Sequence, residues 1–244
     1  MIPMADENPV RRIPWCTLAL IIACVIVYFA VQPGRHINFS WNGIAETVNA
    51  QDLRFVVNNA GIPCELVQGR PLTEQEFRRT FDDGDTSACT DAGGPLHSPG
   101  KNVYLAALVT MFLHASIPHL FGNMLFLWVF GNNIEDRKGW WRFLLLYLIG
   151  GAVATASQVV IDPNSTVPII GASGAIAAVM GAYLVCYPKA RIKSMIFFGP
   201  MLLRKVTAAW LLVLWFLLQF QYVLSDAGLA WGAHVGGFTF GVLV

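Results

Sequence analysis

A serine, three histidines and an asparagine occupy positions whose spacing invites a chemical reading. Ser173 lies in the run Gly171-Ala172-Ser173-Gly174, and His234 precedes Gly237 and Gly241, a GxxxG face suited to seating one helix against another. His119 and Asn123 stand four apart after His114, a separation that puts two side chains on one helix face. A hydroxyl, an imidazole and two further hydrogen-bond donors provide a nucleophile, a general base and oxyanion stabilisation, the set that acyl transfer requires. Each piece alone also has a plainer reading. His119 and Asn123 could hydrogen-bond neighbouring helices, and Gly-Ala-Ser-Gly is by itself a close-packing signal. Metal ligation by His114, His119 and His234 is the weaker option, because no cysteine or carboxylate joins them locally. The serine does not sit in the nucleophile elbow of soluble hydrolases, since Ala175 stands where that motif has its last glycine and no strand precedes it.

The elements that must position these residues follow from composition. Of 244 residues, 55% are apolar and 13% are Asp, Glu, Lys or Arg, about half the charged fraction of an average soluble domain. A formal charge of +1, without clustered Lys and Arg, excludes nucleic acid as a partner. Charges are absent from residues 13–31, 143–161, 206–225 and 227–244 and from the longer stretches 102–134 and 163–188. A bilayer crossing needs roughly 20 apolar residues, so six spans are predicted, with interfacial or loop structure beside the helix in the two longer stretches. No internal repeat points to an inverted-repeat transporter.

Basic residues set the orientation, because Lys and Arg in short loops stay cytoplasmic. Arg11 and Arg12 precede the first span, Arg137, Lys138 and Arg142 separate the second from the third, and Lys189, Arg191, Lys193, Arg204 and Lys205 separate the fourth from the fifth. Connections 162–168 and 225–228 hold no Lys or Arg, as the outer side predicts. Both termini then face the cytoplasm. The chain divides into a cytoplasmic segment (1–12), a first span retained rather than cleaved as a signal peptide (13–31), an external segment (32–101) and a core with five further spans (102–244). The fold class expected is an all-α polytopic membrane protein, a six-helix bundle with a long external loop between its first and second helices.

Within the external segment, residues 71–81 are predicted as a short amphipathic helix capped by Thr73 with Glu76 three positions on. Residues 82–99 read as loop. An oxidising exterior permits a Cys64–Cys89 disulfide, but spacing cannot supply its geometry, and the pairing stays open here. Cys16, Cys24 and Cys186 read as small apolar residues in or beside spans. The ten residues 194–203, bounded by Lys193 and Arg204-Lys205, are too short to cross and are expected along the cytoplasmic interface. Ser116 and Pro118 mark the start of the second span, leaving 102–115 at the outer interface. On that frame Ser173 lies four residues into its span and His234 five, both roughly 6–8 Å below the outer boundary, with Asn123 at about 10 Å. One shared depth makes the acyl-transfer reading coherent.

At this point the residues resemble the rhomboid intramembrane serine proteases, through His114-x4-His119-x3-Asn123, Gly171-Ala172-Ser173-Gly174 and Ala233-His234-x2-Gly237-x3-Gly241 in that order. The resemblance covers about residues 104–244. It implies a Ser-His dyad that cuts transmembrane protein substrates within the bilayer, with Ser173 as nucleophile and His234 as base. Asn123, His119 and the Ser173 backbone N–H would stabilise the oxyanion, with His114, Gly171, Gly174, Gly237 and Gly241 as structural motif positions. It also implies water entering from the outer face, sideways entry of easily unwound substrates beside the fifth span, and neither metal nor cofactor. Family members often carry an aromatic residue one turn after the serine, whereas this chain has Ala177, which leaves His234 to be oriented by other contacts. The short last run leaves a further C-terminal helix in the native protein open. The oligomeric state is not legible, and the compact form suggests a bacterial cytoplasmic membrane, with an organellar membrane as the alternative. Two other classes compete: a catalytically silent rhomboid-like binding protein, which would usually lack the serine or the histidine, and a small-solute or metal transporter built on the histidines.

Overall fold

The computed structural model describes residues 2–33, 39–40, 43–44, 50–90, 93–197, 201–223 and 230–244. The expected outer connection 225–228 lies outside them. Each of the six uncharged stretches carries a helix: α1 (Trp15–Ile26, continued by a π turn over Val27–Val31), α6 (Ile117–Lys138), α7 (Trp140–Ile161), α8 (Ser173–Cys186), α9 (Ala208–Gln219, with a 3-10 turn over Phe220–Val223) and α10 (Trp231–Leu243). Among the described residues, α7 alone is long and apolar enough by itself to cross a membrane. A short helix α5 (Val103–Val109) and its 3-10 extension Thr110–Phe112 meet α6 at an 80° bend. That bend falls where the interfacial piece is expected, and Ser116 caps α6 by accepting the His119 N–H. α6 runs on through the charges expected in a loop, so Gly139 alone separates it from α7.

α8 is the axis of the bundle. It is apolar on every side, and its residues Gly174 to Tyr183 are all buried, as a helix surrounded by others must be. It packs against α6, α7, α9 and above all α10. The last contact is close enough to exclude side chains. A Cβ on Gly237 would overlap the Gly174 carbonyl, one on Gly241 the Ala178 carbonyl, and one on Gly181 the Phe238 carbonyl. The perimeter is apolar too, with Trp210 75%, Val160 81%, Phe121 65% and Leu217 58% exposed, far more apolar surface than a water-facing protein presents in one belt.

α1 has no cap of its own beyond Pro14. Glu135 of α6 supplies one, accepting the N–H groups of Cys16 (2.8 Å) and Thr17 (2.7 Å) and the Thr17 hydroxyl. Those orphan donors would otherwise face an apolar surrounding.

The all-α expectation needs correction on the charged side. Strands β1 (Ile2–Asp6), β4 (Arg191–Phe197) and β5 (Met201–Thr207) form an antiparallel sheet in the order β1-β4-β5, with Lys193 opposite Lys205. A two-residue pair, β2 (Phe39–Ser40) and β3 (Gly43–Ile44), is the other sheet among the described residues. The stretch expected to lie flat along the interface is therefore mostly hairpin. The signal was present as period-two alternation: Arg191 and Lys193 are exposed, Ile192 and Ser194 buried. Glu7 bridges Lys205 (2.7 Å) and Lys193 (3.7 Å), while Asp6 and Asn8 bond the Tyr183 hydroxyl near the end of α8.

The segment between α1 and α5, expected outside, contains α2 (Ala50–Asn59), α3 (Pro63–Gln68) and α4 (Glu74–Phe81). α4 begins with the expected capping box between Thr73 and Glu76, and residues 82–99 form no helix or strand among those described. Cys64 and Cys89 are joined in a disulfide with Cα atoms 5.7 Å apart. Lys101, buried, gives its three protons to Glu65 and the carbonyls of Val57 and Ala60. Burial alone would raise the pKa of the Glu76 carboxyl, but the Arg70 guanidinium and the N–H groups of Thr73 and Thr90 outweigh it and hold the group below the ordinary range.

Two outcomes follow. Because the folded pKa of Glu76 is lowered, its contribution is full above the ordinary carboxylate range and is lost as pH falls through the folded value. Glu76→Gln should therefore weaken hydrogen-exchange protection of α4 at pH 7, and the gap to the parent should close as pH drops below about 4. Gly237→Ala should lower thermal stability by about 1–3 kcal/mol through overpacking, read as a fall in Tm of the detergent-solubilised protein.

Candidate active site

The backbone at Ile169 and Gly171 is held from two sides before α8 starts. The Ile169 N–H donates to the Gly61 carbonyl (2.8 Å) in the outer segment, and the Gly171 N–H donates to the Thr110 carbonyl (3.0 Å). The Thr110 hydroxyl closes the exchange by donating to Ile169. These pairings delay the helix, so Ser173 is its first residue rather than the fourth of a span. His234 likewise stands in the first turn of α10. Both remain level with each other because each begins its helix.

α8 and α10, pressed together at Gly174 and Gly237, bring Ser173 Oγ to 2.8 Å from His234 Nε2. On the other side of the imidazole, Nδ1 lies 2.8 Å from Gln219 Oε1. The Trp215 ring packs on His234 with centroids 5.8 Å apart. Where the resemblance implies an aromatic that is often on the serine's own helix, this chain brings one from α9. Neither Gln219 nor Trp215 was singled out from the sequence. Their signal was an amide inside the apolar run of α9, one turn after a tryptophan, and only the α9–α10 contact gives it meaning.

His119 and Asn123 share the inner face of α6. The Ala115 N–H donates to His119 Nδ1 (3.4 Å), so Nε2 carries the remaining proton and is a donor. Asn123 Nδ2 is buried and has no partner. Both aim at Gly171, whose φ of +117° suits glycine and whose missing Cβ would lie 2.9 Å from His119 Nε2 and 3.5 Å from Asn123 Nδ2. The first N–H groups of α8 lack intrahelical partners and add donors at the positive end of the helix dipole.

His114 stands apart from Ser173. Gln32 clamps its backbone at both N and O (3.0 Å each), its ring Nδ1 lies 3.3 Å from the Phe112 carbonyl, and its ring meets His119 edge-on at 5.4 Å. Its Nε2 is buried without a partner. Gly174, Gly237 and Gly241 form the helix contact and Gly171 the space before the donors. A cavity of about 490 Å³, lined by His119, Asn123, Ser173, Met180, Trp215 and His234 among others, joins these groups. Among the described residues no cysteine or carboxylate lies in its wall, which is poor chemistry for a metal centre.

Comparison with known proteins bears on the same region. The chain is 33% identical over 151 residues to the mitochondrial presenilin-associated rhomboid-like protein A of Danio rerio, covering 58% of this chain and 37% of that protein. It is 42% identical over 77 residues to the rhomboid protease GluP of Bacillus subtilis (32% of this chain, 15% of the relative) and 30% identical over 148 residues to the mitochondrial rhomboid protein 1 of Saccharomyces cerevisiae (57% and 40%). The chain thus spans less than half the length of each. Two of these relatives are mitochondrial and one is bacterial, so they do not single out the bacterial membrane suggested by the compact form. The model of the rhomboid domain matches residues 101–244, more than half of the chain, and the chain therefore belongs to the rhomboid family of polytopic, mainly helical membrane proteins, a family of serine proteases in general.

Proposed function

We propose that this protein is an intramembrane serine endopeptidase working through a Ser173–His234 dyad. The observation that carries the reading is the 2.8 Å contact between Ser173 Oγ and His234 Nε2 beside two donors aimed at an empty backbone position. Ser173 Oγ attacks the scissile carbonyl as its proton passes to His234 Nε2, and the tetrahedral oxyanion is held by His119 Nε2–H, Asn123 Nδ2–H and the Ser173 N–H. His234 then protonates the leaving amine, and a water deprotonated by the same nitrogen hydrolyses the acyl-enzyme. No carboxylate, metal or cofactor is needed.

The chain would cross the bilayer six times with both termini cytoplasmic, residues 32–101 outside and the cavity open to the outer face. The basic residues of the β4–β5 hairpin support this orientation. Substrates would be transmembrane proteins entering beside α9, in stretches whose helix unwinds readily, because a carbonyl must leave its helical hydrogen bond before it can be attacked. The silent binding reading has no specific support, since both members of the dyad are present and bonded.

A fluorophosphonate probe on detergent-solubilised protein tests the dyad. The parent should label, while folded Ser173→Ala and His234→Ala should neither label nor cleave a transmembrane test substrate. Labelling of Ser173→Ala equal to the parent would sink the mechanism, and a folded parent that neither labels nor cleaves would make the silent binding protein the better reading. Asn123→Ala should lower the cleavage rate by about 10²–10³-fold, as loss of one oxyanion donor does, with labelling reduced but not abolished.

A further inference from the structure

Among the described residues the dyad has no acidic third member, yet its histidine is not free to choose a tautomer. A neutral imidazole carries one proton, and only the tautomer with that proton on Nδ1 leaves Nε2 as an acceptor for the serine hydroxyl. In soluble serine proteases a buried aspartate enforces that choice, and loss of its charge costs activity through the wrong tautomer. Among the described residues no carboxylate bonds His234, and what meets Nδ1 is the side chain of Gln219 at 2.8 Å.

The amide's orientation is forced in turn. Its other end lies 2.8 Å from the carbonyl oxygen of Trp215, one turn earlier on α9. A carbonyl only accepts, so the group facing it must be the Nε2 amine, and the group facing His234 must be Oε1, which also only accepts. An acceptor facing Nδ1 requires the proton there. The chain of single choices runs from the Trp215 carbonyl through the Gln219 amide and the imidazole to the Ser173 hydroxyl. Gln219 is 5% exposed, and the ring of the same Trp215 packs on the imidazole. One turn of α9 therefore sets both where the ring lies and which nitrogen is bare.

We infer that Gln219 is a positioning residue that holds His234 in its Nδ1–H form, an uncharged counterpart of a triad aspartate. The inference rests on the reading of Ser173 and His234 as a catalytic dyad. An amide suits this place because a carboxylate in an apolar bundle must be desolvated, whereas an amide offers the acceptor without the charge. Among the described residues the titratable group acting on His234 is His119 of α6, which sits on the donor side of the cavity.

The test uses the whole 244-residue chain in detergent, with two variants at one position. Gln219→Met keeps the side chain's length and removes the acceptor. Gln219→Glu keeps the acceptor toward His234 and, when protonated, repeats both bonds, donating to the Trp215 carbonyl and accepting from His234. The fluorophosphonate labelling rate should fall by about 10²-fold in Gln219→Met, the lower range of what a general base contributes, and should return to within a few-fold of the parent in Gln219→Glu. Nitrogen-15 spectra of histidine-labelled protein, assigned with His234→Ala, supply the readout that a merely structural role would not move. His234 should show a protonated Nδ1 and a bare Nε2 in the parent and in Gln219→Glu, and should lose that pattern in Gln219→Met at unchanged fold. Parent-like labelling and tautomer in Gln219→Met would overturn the inference, as would a parent His234 protonated on Nε2. A parent with the Nδ1–H form and no labelling would instead defeat the protease reading while leaving the contact intact.

Discussion

The contact of α8 with α10 is the constraint on which the rest depends. Two helices whose backbones touch at Gly174 and Gly237, at Ala178 and Gly241, and at Gly181 and Phe238 have no freedom to slide or rotate. Ser173 and His234 both lie in the first turn of their helices, so fixing the axes fixes the distance between Ser173 Oγ and His234 Nε2. Within an apolar surrounding the hydrophobic effect gives little reason for helices to associate, and close van der Waals packing must do it. The glycines thus serve both cohesion and chemistry.

Around that pair the other elements work as braces. Glu135 caps α1 from α6, Gln32 at the end of α1 clamps the backbone of His114, and the sheet on the charged side ties β1 to the end of α8 through Asp6 and Tyr183. The segment between α1 and α5 braces the approach to Ser173 most directly. Its Gly61 pairs with Ile169, Cys64 N–H donates to the Ser165 carbonyl, and Thr80 bonds Thr166, so the segment between α7 and Ser173 is bonded to it along much of its length. The disulfide and the Glu65–Lys101 pair stiffen that segment from within.

The polar groups near the cavity fall into two kinds. Gln219 bonds at both ends of its amide, and Gln32 does likewise. Asn123 Nδ2 is left unpaired in a buried place. An unmet donor costs free energy, and that cost is returned only when an acceptor arrives, which is how a site stabilises a charge that exists briefly.

Much was legible in the chain itself. Helix faces are set by local spacing, so the shared face of His119 and Asn123, the Ser116 cap and the Thr73–Glu76 capping box could be read directly. Uncharged run length located the six helices for the same reason, since lipid or core demands apolar residues along a whole element. The Gly237–Gly241 face announced a close contact without naming its partner. What only the tertiary structure decided concerns contacts across helices. The choice of Gln219 and Trp215 to orient His234 depends on how α9 lies against α10, and the late start of α8 depends on backbone pairing with Gly61 and Thr110 from far along the chain. The hairpin of β4 and β5 was missed because a short charged alternation is stabilised by its strand partners, β1 among them, rather than by its own residues. Local physics writes itself into local sequence, whereas a distance between two helices is a property of every side chain between them.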